Sequence, residues 1–129
     1  EDLCRVVSED FPELLDVDSV ALCLETEIPP PGGPATILMH GYVGHLLGRR
    51  RALLRENVKG DPILFGEAAA SVRSDALVRL EPGEGYPTGL LALGSRYPDA
   101  FHANQGADLL MFLAQVLEWS LGRWLTAPG

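Results

Sequence analysis

The chain has 129 residues, of which 47% are apolar and 22% charged, with a formal net charge of −8. This length suits one core and excludes a two-domain enzyme, and the apolar share excludes global disorder. The charge is uneven, since residues 1–27 hold nine acids against the single base Arg5 while the remainder balances. Such an acidic field speaks against nucleic acid and anionic lipid as partners. Two thiols, Cys4 and Cys23, and no charged-then-apolar leader in the given sequence lend no support to a secreted disulfide framework or a signal peptide. The apolar runs at 90–93 and 109–114 fall far short of the roughly 20 residues a bilayer requires. A cytoplasmic chain with no membrane contact is expected. It opens on Glu1 and reads as a single domain, 1–129, cut from a longer protein with a helical segment upstream.

Leu3, Val6, Val7, Phe11 and Leu14 recur at helical spacing, so the opening reads as a short amphipathic helix ended by Pro12. Residues 17–25 are rich in Val, Leu and Cys and read as the first strand. Residues 27–36 contain four Pro and two Gly, a composition that reads as an exposed loop. Val43, Leu46 and Leu47 open a helix continuing through Arg51, and residues 52–58 form a short strand or the end of that helix. Gly60, Asp61 and Pro62 signal a break and a new helix over 63–71.

Over 72–80, Ala76, Val78 and Leu80 share one parity while Arg73, Asp75 and Arg79 share the other, which predicts a half-buried strand interrupted only by Leu77. A turn at 81–85 leads into 87–95, apolar on both parities, so a hairpin with a central strand covered on both faces is expected. The last helix, 104–125, aligns Leu109, Leu113, Val116, Ser120 and Trp124 on one line, with Leu110, Leu117 and Leu121 beside it; Leu109, Leu113, Val116 and Trp124 read as the core stripe, with Phe112 and Trp119 projecting to its side.

Phe65-Gly66, then Ser74, Ala76 and Leu77, then Gly89-Leu90-Leu91-Ala92-Leu93-Gly94-Ser95, Phe101, Gly106, Asp108 and Leu110 carry a resemblance over about residues 62–121. The pattern resembles the bacterial family catalogued as domain of unknown function four-eight-four, in which a GAF-like domain follows an amino-terminal helical segment. The resemblance implies an α+β fold: a twisted antiparallel sheet with the terminal helices packed on one face and the middle helical segment on the other. It supplies no catalytic residue, ligand or cofactor.

The side chains add little chemistry. His40 and His45 are five apart, not the spacing that puts two ligands on one helix face, so neither metal nor cofactor is expected. Ser95, Asp99 and His102 lie close in sequence, but Arg96, Tyr97 and Pro98 follow the Ser where a nucleophile elbow would lead into a helix. Ser95 is therefore expected to bond loop backbone. Cys23, between Leu22 and Leu24, reads as a small buried hydrophobe, and Cys4 beside Arg5 lacks a resolving thiol. Arg49, Arg50, Arg51 and Arg55 form a basic cluster, read as a solvated helix face.

The expectation is a non-enzymatic sensory or regulatory module that binds a small molecule near Tyr42, His45, Phe65, Arg73 and Ser74 and forms a homodimer through Phe112 and Trp119. The alternative is a structural dimerisation or protein-interaction domain with no ligand. A redox enzyme of the GAF fold ranks below both.

Overall fold

The computed structural model describes residues 17–26, 36–83, 85–101 and 108–126. The expected opening helix and the Pro-rich stretch up to residue 35 lie outside these. In chain order come β1 (Ser19–Leu24), β2 (Thr36–Ile37), α1 (Tyr42–Leu47), β3 (Ala52–Arg55), α2 (Pro62–Phe65), a 3-10 helix (Gly66–Ser71), β4 (Ser74–Leu80), β5 (Gly89–Ser95) and α3 (Asp108–Thr126).

The sheet runs β2-β1-β5-β4-β3. The apolar run on both parities puts β5 at its centre, antiparallel to β1 (Val20 beside Leu93) and to β4 (Ala76 beside Leu93). β3 extends the sheet antiparallel to β4. At the far edge the expectation of a wholly antiparallel sheet is corrected, because Thr36 and Ile37 pair parallel to Cys23 and Leu24. A parallel partner needs a connection of about a dozen residues, and residues 25–35 separate the two strands in sequence.

Both sheet faces are covered. On one, Leu22, Leu24, Ala76, Val78, Leu91 and Leu93 pack with Leu110, Ala114 and Leu117 of α3. On the other, Cys23, Leu77, Leu90 and Ala92 pack with Val43 and Leu47 of α1 and with Leu64, Phe65 and Ala69 of the middle segment. Three expectations are corrected. The helix expected through Arg51 stops at Leu47, where the Gly48 amide donates back to the Gly44 carbonyl, so 52–55 is a strand. β4 is not half-buried: Leu77 and Asp75, on its supposed outer parity, are both fully buried. The core stripe of α3 runs through Leu110, Ala114 and Leu117, the line expected beside it; Leu113 packs against its edge and Val116 is 45% exposed.

Gly94 shows how tightly the middle segment seats. A Cβ there would come within 2.7 Å of Val72 Cγ2 and 3.1 Å of Phe65 Cε1, so the absence of a side chain lets α2 and the 3-10 helix press onto β5.

Candidate functional site

Polar groups on the middle-segment face gather at its junction with β3 and β4. Arg55 and Asp75 are cross-strand partners, and Arg55 donates from Nε and Nη2 to the two Asp75 carboxylate oxygens at 2.8 and 2.7 Å. The Asp75 side chain is fully buried and that of Arg55 is 31% exposed. Charge-assisted bonds in this bidentate geometry are the strong kind. Their donation to Asp75, ahead of any other influence, raises the guanidinium pKa above its ordinary value.

Asp61 serves two partners. Its Oδ1 accepts from the Ile63 amide at 2.9 Å and so caps α2, with Pro62 in the first turn, where a missing N–H costs nothing. Its Oδ2 accepts from the Tyr42 hydroxyl at 2.6 Å. Burial, then that bond, push the Tyr42 phenol up to about 12. Glu25, at the end of β1, accepts from the Val43 amide at 2.7 Å and thereby fastens the first turn of α1.

A cleft of about 570 Å³ opens where residues 59–60 run past α2 and the 3-10 helix, with Lys59, Pro62, Glu67, Ala70 and Arg73 in its lining. Gly60 makes this close approach possible: a Cβ on it would lie 2.2 Å from the Ala69 carbonyl oxygen, a position no side chain can occupy. No lining residue belongs to a strand, so the cleft lies outside the packed interior between sheet and middle segment.

The five residues expected around a ligand are not brought together. Arg73 lines the cleft. Phe65 is buried against the sheet, and Tyr42 is half-buried on Asp61. His45 is exposed, its ring 6.0 Å from that of Tyr42. Ser74 faces the other way: its hydroxyl donates to the Tyr97 carbonyl at 2.6 Å and accepts from the Phe101 amide at 3.3 Å. Phe101 belongs to the core beneath α3.

The Ser95 hydroxyl accepts from the Tyr97 amide at 3.1 Å, the backbone role expected of it. Asp99 is exposed, and His102 lies outside the described residues, as does Cys4. Cys23 is buried, which pushes its thiol up to about 12. The arginine cluster does not share a helix face. Arg51 pairs with Glu118 of α3 at 2.9 Å, and Arg55 pairs with Asp75. Phe112 and Trp119 are 60% and 65% exposed, on one line of α3 with Val116. Among the described residues, no group of three or more His, Cys, Asp or Glu is placed to hold a metal, and no helix is long and apolar enough to cross a membrane.

Asp61, Asp75, Arg55 and Glu25 were missed as a set. The Asp61-Pro62 cap was legible as a helix start, but the Arg55 to Asp75 pairing depends on the β3–β4 register, for which the sequence carries no local signal.

The model of the family described as protein of unknown function, DUF484, matches residues 14–126. The chain belongs to the DUF484 family. Among solved structures, this DUF484 domain is similar to the GAF domain of a two-component sensor histidine kinase from Bacillus halodurans. The match has a TM-score of 0.52 at 16% identity and covers 90% of this chain and 86% of that one. At that identity the likeness speaks for the fold, and the family resemblance and GAF-like α+β architecture expected from sequence both stand. No curated protein matches the chain.

Proposed function

We propose that the chain is a non-enzymatic sensory or regulatory module, like the sensor-kinase domain whose fold it shares, which takes a small molecule in the cleft at Arg73 and pairs with a second copy through α3. The observation supporting this is a short path from the cleft to the α3 face. Arg73 lines the cleft, and its amide donates to the Ser95 carbonyl at 2.7 Å. Its neighbour Ser74 faces the opposite side and holds Tyr97 and Phe101, and Phe101 packs in the core that α3 closes. A ligand that favours one arrangement of this hydrogen-bonded corner therefore biases the seat of α3, by as much as its affinities for the two arrangements differ.

Pairing is supported by Phe112, Val116 and Trp119, large apolar side chains on one line of α3 and each more than 40% exposed. A two-fold axis lets that line meet its own copy.

Both tryptophans, Trp119 and Trp124, lie on α3, so their emission reports on that helix. Titration with a panel of small metabolites should find one that changes this emission saturably and raises Tm. Sedimentation equilibrium at about tens of micromolar should show a dimer that Phe112→Glu with Trp119→Glu turns into a monomer. The closed packing at Gly94 favours a second reading, a structural dimerisation domain. It is adopted if the dimer is present and no metabolite changes either signal, and a monomeric wild type removes the pairing from both.

A further inference from the structure

We infer that the cleft between residues 59–60 and the 3-10 helix takes a small organic anion, its carboxylate or phosphate group held by Lys59 and Arg73. The inference rests on the ligand-binding reading above and names the class of ligand.

Two cations line this cleft in a chain of net charge −8. Among the described residues neither has a carboxylate within ion-pair distance, whereas Arg51, Arg55 and Arg96 each have one. Arg73 is also held rather than free to sweep. Its Nη1 donates to the Ala70 carbonyl at 2.8 Å and to the Val72 carbonyl at 3.0 Å, which ties the guanidinium to the last turn of the 3-10 helix. Nε and Nη2 have no protein acceptor among the described residues, and such a pair of donors in a fixed plane suits two oxygens of an oxyanion. Lys59 is brought to the same lining because Gly60, next to it, is packed on the backbone of Ala69. A point charge there complements the planar fork of Arg73.

The remaining lining restricts what else can bind. Pro62, Ala69 and Ala70 provide apolar surface for a short aliphatic or ring body, and about 570 Å³ lies within the range of small-molecule sites. Glu67 faces the same cleft and repels further negative charge. The combination selects a molecule with one anionic group on a small apolar frame, against polyanions.

The test is a ¹H–¹⁵N spectroscopic titration of the whole chain with sodium benzoate, sodium phenyl phosphate and benzyl alcohol, at an ionic strength held constant with sodium chloride. The three probes share a ring and differ in the headgroup, so the two anions separate carboxylate from phosphate as the source. At least one anion should shift the Gly60, Ala70 and Arg73 amides saturably, in the millimolar range, with benzyl alcohol much weaker. Lys59→Gln and Arg73→Gln, both at exposed positions, should keep a folded spectrum and each weaken that binding about tenfold or more. Saturable binding that is equal for benzyl alcohol, or unchanged in both variants, overturns the anion while leaving a ligand cleft in place. A response to neither anion that saturates also overturns it, and the sensory reading is then decided separately by the metabolite titration of tryptophan emission.

Discussion

The Arg55 and Asp75 pair predicts an asymmetry that a surface ion pair would not produce. Asp75 is fully buried and takes both of its hydrogen bonds from one guanidinium, which itself keeps 31% of its surface in water. Arg55→Met strands a carboxylate in the interior, and leaving a buried charge without its partner costs about 3–5 kcal/mol. Asp75→Asn strands less, because the amide oxygen still accepts one bond and the half-open guanidinium regains water, so the loss should be about 1–2 kcal/mol. Replacing both, Arg55→Met with Asp75→Leu, removes the desolvated charges together and should return stability to within about 1 kcal/mol of the wild type. Urea denaturation with two-state analysis gives all three values. A cost below about 1 kcal/mol for Arg55→Met, or a double variant as unstable as the single losses combined, would refute the reasoning.

Leu93 is fully buried in the centre of the sheet on the α3 face, so Leu93→Ala should cost about 2–5 kcal/mol in the same assay, and a change well below that range would make β5 peripheral. With Cys4→Ser as background, Cys23 should resist an aromatic disulfide reagent at neutral pH and react once urea unfolds the chain, because burial pushes its thiol up to about 12; rapid native-state labelling would contradict its placement. Tyr42 and Cys23 both have folded pKa values of about 12, above the ordinary 10.0 and 9.0. The fold thus favours their protonated forms, and the stability this contributes is complete below pH 9 and lost as the pH rises toward 12. Tyr42→Phe should flatten the upper part of that decline, and a stability unchanged between pH 9 and 12 would count against both placements.

Much of the fold was legible because burial on two faces leaves a mark in composition. The apolar run of β5 predicted a central strand, and Leu91 and Leu93 on one face with Leu90 and Ala92 on the other fulfil it. The same mark was present in β4 and was discounted. Leu77 broke the alternation because the middle segment covers that parity, and Asp75 passed for a solvated residue because an alternating pattern does not distinguish an acid in water from one buried on an arginine. On α3, helical spacing alone left the rotation ambiguous. Leu109-Leu113-Val116 and Leu110-Ala114-Leu117 are adjacent lines, and Ala114 and Leu117, both buried, show that the second of them faces the sheet.

The candidate site was less legible for a different reason. Arg73 and Ser74 were singled out together because they are neighbours in sequence, yet the chain enters β4 between them, and Arg73 lines the cleft while the Ser74 hydroxyl bonds Tyr97 and Phe101 on the α3 side. Sequence adjacency here marks the entry of the chain into β4 rather than membership of one pocket. A module with helices on both faces of its sheet has to join the two sides somewhere if binding on one is to be felt on the other. The Arg73 amide bonded to the Ser95 carbonyl and the Ser74 hydroxyl bonded to Tyr97 and Phe101 join the two sides at one end of β4 and β5. The polar groups at this end finish the hydrogen bonding of the strand ends, and the coupling proposed between Arg73 and the seat of Phe101 runs through these same bonds.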